Sequence, residues 1–297
     1  MKRRLISLDW AIKKLLRSKA NFGILEGFLS ELLFEDIKIL EILESESNQE
    51  LRDDKYNRVG LKVKNQKDEI IIIELQYATE YDYLQRILYG TSKVITEHIK
   101  VKEDYSSIVK VISVNILYFD LGIGKDYIYK GVTKFEGIHN HDELELNDKQ
   151  KELYQKETIA KLYPEYYLIK VKNFNDIAKD SLDEWIYFLK NEEIKDEFSA
   201  KGIKEAKEKL DIMKLPKDKQ IAYERYIEDL MYQNSLINSN YGAGKIDGIK
   251  EGIKEGIKEG EKQKVIDIAK KSLSQGIDLN TISLITGLSV EEIKKLK

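Results

Sequence analysis

Two short segments joined by a polar turn restrict the fold of this chain more than any other feature. The segments RVGLKVK, residues 58–64, and EIIIIELQ, residues 69–76, flank the turn NQKD and together predict a β-hairpin. Pairing them about residue 67 sets residue 64 opposite 70, 62 opposite 72 and 60 opposite 74. Because side chains alternate between the two faces of a strand, one face carries Val59, Leu61, Val63, Ile71, Ile73 and Leu75. We expect this apolar face to line the core.

The opposite face of the predicted hairpin ends in polar groups. It carries Gly60, Lys62, Lys64, Ile70, Ile72, Glu74 and Gln76. Directly opposed residues have Cβ atoms about 5 Å apart, so a side chain at position 60 would share a site with Glu74. An aspartate at position 60 would place a second carboxylate beside that of Glu74. Such a pair needs a cation to remain ionised, and Mg²⁺ is suitable. The chain has glycine at position 60, and the structural alternative is a simple ion pair between Lys62 and Glu74.

Helical and strand-like patterns alternate along the rest of the first 236 residues. Apolar residues have helical spacing in 9–20, 22–34 and 79–101, and in the last of these they include Leu84, Leu88, Thr91, Ile95 and Ile99. Strand-like segments are found at 37–43, 108–119, 127–135 and 166–174. Segment 108–119 is the most strand-like, and we expect it to be central in the sheet. Residues 176–236 are again helical in pattern.

The composition changes near residue 238, which suggests a change of domain. A four-residue repeat follows, with glycines at 244, 248, 252, 256 and 260. We predict a large domain at 1–236, a helical Gly-repeat linker at 237–262 and a small three-helix unit at 263–297. Glycines every four residues permit the close approach of a second helix, so we expect a homo-oligomer formed through this tail. A solvated linker is the alternative, because each glycine costs a helix about 1 kcal/mol relative to alanine.

Capping signals support short helices in the tail. Gly276 and Gly287 stand where left-handed C-terminal caps are expected. Ser289 and Glu292 have the spacing of a capping box, which predicts that the last helix begins there.

Charge and cysteine content narrow the classes of function. With 50 Lys and Arg against 53 Asp and Glu, the net charge of -3 gives no overall positive field toward nucleic acid or anionic lipid. A local excess of cations near the N-terminus, including Lys13, Lys14 and Arg17, is either a solvated helix face or a phosphate-binding surface. The absence of cysteine excludes disulfides and thiolate metal sites and fits a reducing compartment, so we expect a cytoplasmic protein. No apolar run is long enough for a membrane span.

Two adjoining segments resemble a known family. DDKYNRVGLKVKNQKDEIIIIELQ, followed by YLQRILYGTSKVITEHIKVKEDY, is similar to the recombination-promoting nuclease (Rpn) and transposase family of the PD-(D/E)XK superfamily. The likeness begins at DWAIKKLL, continues through LDEWIYFLK and reaches the Gly repeat. It implies an α/β fold with a restriction-endonuclease-like core, which is a mixed sheet flanked by helices, and a C-terminal helical tail. It also implies DNA cleavage with Mg²⁺, Mn²⁺ or another divalent cation, in recombination, mobile elements or phage defence.

The resemblance assigns roles to individual residues. It makes Glu74 the metal-binding acid and the Leu75 backbone carbonyl a second metal ligand. Gln76 takes the position of the motif's usual lysine, which orients or activates the attacking water. Arg86 and Lys93 match basic positions that hold a phosphate, so we expect them to contact DNA together with the N-terminal cations.

Gly60 departs from the family pattern, which has Asp at this position. The departure removes one of two anionic ligands and leaves two alternatives to a nuclease. One is a DNA-binding member without cleavage, and the other is an interaction module that acts through the tail. Asp53 and Asp54, just before the hairpin, are either substitute ligands or the start of a polar loop.

Overall fold

A computed structural model of the chain describes residues 5–43, 60–99 and 104–296. Within these ranges one mixed sheet is formed by six strands, in the spatial order β1-β2-β3-β4-β6-β5. Their bounds are β1 Ile39–Leu43, β2 Leu61–Asn65, β3 Ile70–Gln76, β4 Val111–Leu117, β5 Ile128–Gly131 and β6 Glu165–Lys170.

Helices flank this sheet and form the C-terminal part of the chain. Their bounds are α1 Leu8–Lys14, α2 Phe22–Leu33, α3 Tyr83–Glu97, α4 Asp148–Tyr154, α5 Ser181–Asn191, α6 Ile203–Lys209, α7 Lys217–Ser274, α8 Leu279–Thr286 and α9 Val290–Lys294. Among the described residues, no helix is both long and apolar enough to cross a membrane.

The predicted hairpin and central strand are confirmed. Strands β1, β2 and β3 pair antiparallel, whereas β4 pairs parallel with β3 on one side and with β6 on the other. In the hairpin, Leu61 pairs with Ile73 and Lys64 pairs with Ile70, which is the predicted register. Every residue of β4 is buried, as expected for a strand covered on both faces.

Both faces of the sheet are covered by helices. The predicted apolar face of the hairpin, apart from Val59, which lies outside the described residues, packs into the main core with residues such as Phe28 of α2 and Trp185 of α5. The other face packs under α3 in two smaller clusters, which are Ile70, Ile72, Val94 and Val111, and Tyr83, Ile87, Leu117 and Phe119. The restriction-endonuclease-like α/β core is therefore confirmed.

Helix α3 buries only part of the predicted apolar series, because Thr91 is buried and Ile95 packs against a core cluster while the first two residues of the series are exposed. Leu84 and Leu88 are 51% and 58% exposed, whereas Tyr83 and Ile87, one residue earlier, are buried. Both series have helical spacing and large apolar side chains, so the spacing does not distinguish them. The approach of the helix to β3 and β4 decides which series faces the sheet.

Helix α1 is shorter than the predicted helix over residues 9–20. It ends at Lys14, and a short 3₁₀ turn follows at Lys19–Asn21. The side-chain amide of Asn21 donates to the Leu15 carbonyl at 2.9 Å, which satisfies an acceptor at the end of the helix. Such a side-chain cap ends the helix although the apolar pattern continues.

A buried ion pair joins the beginnings of two parallel strands. Lys110, just before β4, donates to the carboxylate of Glu165 at the start of β6, and both side chains are buried. Lys130 on β5 reaches the same carboxylate at 3.1 Å. Burial alone would raise the pKa of Glu165, but the hydrogen bond and positive charge of Lys110, with help from Lys130, lower the pKa to about 2.

The chain divides into two compact units between Ile227 and Glu228. In the second unit the Gly repeat lies within α7, and Ala269, Ile282 and Ile293 form a small buried core. Its predicted caps are confirmed. Gly276 and Gly287 have left-handed φ values of 78° and 74°, and Ser289 with Glu292 forms the capping box. The three-part division of the sequence stays a prediction.

Candidate active site

Glu74 lies near the end of β3, on the face that α3 covers. Its side chain is buried, and the hairpin register places it opposite position 60. Its neighbour in the parallel pair is Asn115 on β4, a buried amide that accepts a hydrogen bond from the Tyr83 hydroxyl at 3.0 Å. At the end of β3, a buried carboxylate therefore lies beside other buried polar groups.

Arg86 links two carboxylates at this place. From the first turn of α3, its Nη2 donates to Oε1 of Glu74, and its Nη1 donates to both carboxylate oxygens of Glu80, at 2.8 and 2.6 Å. The side-chain amide of Gln76 donates to Oε1 of Glu80 at 2.7 Å and to the Ala78 carbonyl at 3.2 Å. We name Glu74, Gln76, Glu80 and Arg86 the acid-arginine cluster.

Burial controls the electrostatics of this cluster. It raises the pKa of Glu74 to about 7, while the charge of Arg86 acts in the opposite direction and that of Glu80 adds to the rise. Burial also opposes the charge on Arg86, yet Glu74 and Glu80 together raise the pKa of its guanidinium above the ordinary value. The guanidinium therefore remains charged, and Glu74 depends on a cation to remain ionised at neutral pH.

Gly60 permits a close approach between the two strands of the hairpin. A Cβ atom added there would lie 2.6 Å from the carbonyl oxygen of Ile73 and 3.5 Å from the Glu74 Cα. The first distance is shorter than real Cβ contacts, and the obstructing atom belongs to the backbone. An aspartate at position 60 would require one strand to move.

Lys62 does not form the ion pair with Glu74 that was the predicted alternative to a metal site. Its ammonium group lies 3.1 Å from the carboxylate of Glu97, near the end of α3, and Lys93 approaches that carboxylate at 4.0 Å. Helix α3 begins above Glu74 and ends above Lys62. It therefore supplies Arg86 to the first side chain and Glu97 to the second.

The remaining predicted site residues lie in several places. Lys14 and Arg17 are exposed near the N-terminus, whereas the side chain of Lys13 is outside the described residues. The same holds for Asp53 and Asp54. The Leu75 carbonyl lies on β3, beyond the Leu61–Ile73 pair that ends the described part of the β2–β3 ladder.

Glu80 was not among the site residues predicted from the sequence. The residue lies between β3 and α3, and its bonds to Gln76 and Arg86 place it beside Glu74. An acidic residue between a strand carrying Glu74 and a helix carrying Arg86 is visible in the sequence. The path of the intervening loop, which brings the carboxylate back to the strand end, is not.

The strand end offers two carboxylates, those of Glu74 and Glu80, to a divalent cation. Within the described ranges, no group of three or more His, Cys, Asp or Glu side chains could hold a metal ion. Mg²⁺, however, is commonly bound by one or two carboxylates, with water and substrate phosphate completing the octahedron. Glu74 and Glu80 already converge on one cationic group, so their chemistry fits such an ion.

Comparisons with known proteins identify the family. Searches of curated proteins and of solved structures gave no match. Residues 262–297 match the model of the Rpn/YhgA-like nuclease family, C-terminal HTH domain, so the three-helix tail is a helix-turn-helix domain. Residues 6–240 match the model described as PD-(D/E)XK nuclease family transposase, which confirms the resemblance over most of the chain. The chain therefore belongs to the PD-(D/E)XK nuclease family transposases and carries an Rpn-type helix-turn-helix domain.

Proposed function

We propose that this protein is a DNA endonuclease that hydrolyses phosphodiester bonds with Mg²⁺ or Mn²⁺, in recombination, mobile-element or phage-defence settings. The observation that carries the proposal is the buried Glu74 carboxylate, held against a cationic group at the end of β3 with Gln76 beside it. A buried carboxylate that depends on a cation is suited to binding a metal. The family assignment supplies the reaction class.

Each polar group at the strand end has a role in this proposal. Glu74 would hold the cation, with the Leu75 carbonyl as an additional ligand. A cation held there would supply charge stabilisation for the phosphodiester and would make a nearby water more acidic. Gln76 carries both a donor and an acceptor, so its amide can orient a water molecule by hydrogen bonds.

DNA binding is assigned to two surfaces. The helix-turn-helix match at residues 262–297 supports duplex binding by the tail. Lys14 and Arg17 are exposed near the N-terminus, and we assign them to phosphate contacts together with Lys13. Arg86 and Lys93 already pair with carboxylates, so any phosphate contact by them requires an exchange of partners.

The second candidate is a DNA-binding family member that does not cleave. It is favoured by Gly60, which brings no carboxylate, and by the Ile73 carbonyl, which leaves no space for a Cβ there. Affinity for DNA comes mostly from phosphate neutralisation and does not need the metal-binding acids. Binding would therefore survive the loss of cleavage.

We also propose that the chain forms a homo-oligomer through α7. In the described part of the chain, a Cβ added at Gly248, Gly252 or Gly256 would meet no atom within 4 Å apart from the adjoining residues and backbone of its own helix. Ile249, Ile253 and Ile257 form an exposed row beside these glycines. A row of isoleucines on one helix fits the groove left by a row of glycines on another, because rows of residues four apart interdigitate in helix packing.

A plasmid-nicking assay distinguishes the endonuclease from the DNA-binding member that does not cleave and from the interaction module. Wild-type protein and Glu74→Gln would be incubated with supercoiled DNA in Mg²⁺, in Mn²⁺ and in EDTA, and DNA binding would be followed in parallel by fluorescence anisotropy. Nicking by the wild type that requires the cation and is lost in Glu74→Gln is the expected result. Salt-sensitive binding without nicking would replace the endonuclease proposal by the second candidate. An absence of binding at low salt would favour the interaction module.

A further inference from the structure

In the family pattern, the second metal-binding carboxylate is an aspartate at position 60, and this chain has no space for a side chain there. A Cβ at position 60 would meet the Ile73 carbonyl oxygen at 2.6 Å, so the backbone itself occupies the space where a side chain would begin. A metal site built on Glu74 therefore needs its second acid from another element. This step rests on the proposed function, which requires such a site.

Glu80 is the acid that the fold brings to the same place. It lies in the segment between β3 and α3, and its carboxylate accepts from the Gln76 amide at 2.7 Å. That amide follows Glu74 by two residues on the same strand, so both side chains are on one face of β3. The Glu80 side chain is 30% exposed, which leaves it reachable by solvent and by a ligand.

The Arg86 guanidinium acts as a stand-in for a cation between the two carboxylates. One terminal nitrogen donates to Glu74, and the other donates to both oxygens of Glu80. When both carboxylates are ionised, the guanidinium carries one positive charge against two negative charges, and the three groups together have a net charge of minus one. A divalent cation would neutralise the two carboxylates completely, which gives it an electrostatic advantage over the arginine.

We propose that Glu80 is the second metal-binding carboxylate of this protein, in place of the aspartate missing at position 60, and that Arg86 competes with the metal for both acids. Gln76 holds Glu80 in position through its amide hydrogen bond. The site would then have two carboxylates, which is within the range that Mg²⁺ uses when water and phosphate complete its coordination.

Direct measurement of Mn²⁺ binding tests this assignment without relying on cleavage. The amount of free Mn²⁺ would be measured by electron paramagnetic resonance in titrations of the full chain and of Glu80→Gln, Glu74→Gln and Asp82→Asn. Asp82 is the matched control, because it is an exposed acid in the same segment and its side chain makes no capping hydrogen bond to α3. Circular dichroism would verify that each variant is folded, and Glu80→Asp would retain the charge with a shorter side chain.

We expect Glu80→Gln and Glu74→Gln each to weaken Mn²⁺ binding by at least about tenfold, since even the removal of outer-sphere partners costs about 10–100-fold. The Mn²⁺ affinity of Asp82→Asn should remain within about twofold of the wild type. The affinity of Glu80→Asp should lie between those of Glu80→Gln and the wild type. Wild-type affinity in Glu80→Gln, an equal loss in Asp82→Asn, or no Mn²⁺ binding by the wild type would overturn the assignment.

The plasmid assay distinguishes failure of this assignment from failure of the proposed function. If Glu80→Gln binds Mn²⁺ tenfold more weakly but neither the wild type nor any variant nicks the plasmid, Glu80 remains a metal ligand and the endonuclease proposal is rejected. Nicking by the wild type, with unchanged Mn²⁺ affinity in Glu80→Gln, would keep the endonuclease and reject Glu80.

Discussion

Glu74→Gln should change how the stability of the first unit depends on pH. The pKa of the Glu74 carboxyl rises from an ordinary value of 4.5 to about 7 on folding, mainly because of burial. Between these values the folded protein holds the proton while the unfolded chain releases it, so the free energy of unfolding falls as the pH rises. Glutamine has nearly the same shape and does not titrate, so the variant lacks this contribution.

The magnitude follows from the two pKa values. Between pH 5 and pH 8, a carboxyl with pKa 4.5 unfolded and about 7 folded lowers the free energy of unfolding by about 2.5 kcal/mol. The side chain is only 8% exposed, so solvent screening reduces this value little. The wild type should therefore lose about 2.5 kcal/mol more than Glu74→Gln over this range.

Urea unfolding followed by tryptophan fluorescence is the suitable assay. Both tryptophans of the chain, Trp10 and Trp185, are buried in the unit that contains Glu74, so their emission reports on that unit. The measurements would be made in EDTA at pH 5, 6, 7 and 8. Glu152→Gln, an exposed glutamate on α4, is the control and should follow the wild type. Parallel pH profiles for the wild type and Glu74→Gln would refute the reasoning.

Three further predictions concern other parts of the molecule. Gly60→Ala should lower the free energy of unfolding by about 1–3 kcal/mol in the same assay, because its Cβ overlaps the Ile73 carbonyl, and equal stability would show that the strands have room. Gly60→Asp should bind Mn²⁺ more tightly than Gly60→Ala if it folds, and equal affinities would contradict the assignment of position 60 to the site. Neutralising Lys14 and Arg17 together should reduce the salt dependence of DNA binding by about two released counterions, as measured by anisotropy titrations, and an unchanged slope would remove this N-terminal segment from the interface. Ile253→Lys, at a position 57% exposed, should lower the mass measured by light scattering without loss of helicity, and an unchanged mass would exclude pairing through this row.

The sheet was largely predictable because its signals are local. The polar turn and the alternation on both sides of it specify the hairpin register, and the apolar run of β4 indicates a strand buried on both faces. The spacing in α3 predicted the helix but did not specify which residues of its first turns face the sheet, because Leu84 and Tyr83 belong to two equally apolar helical series. The choice between them depends on tertiary packing and has no local signal.

The candidate site was predictable only along one strand. The positions of Glu74 and Gln76 follow from the period of two, which needs no tertiary information. The ion pair from Arg86 and the return of Glu80 depend on where α3 begins and how it crosses the sheet. The helix-turn-helix nature of the tail was not predicted either, because short capped helices serve many functions.

The ion pair between Lys110 and Glu165 has a consequence for how the sheet assembles. Strand β4 is buried throughout and β6 mostly alternates between buried and half-buried residues, so a shift of β6 by two residues would keep each of its side chains on the same face of the sheet. Such a shift would separate the two charges in a buried environment, and breaking a buried pair costs about 3–5 kcal/mol. We infer that this pair acts mainly by excluding misaligned sheets during folding, whereas its net contribution to the stability of the correct sheet is small.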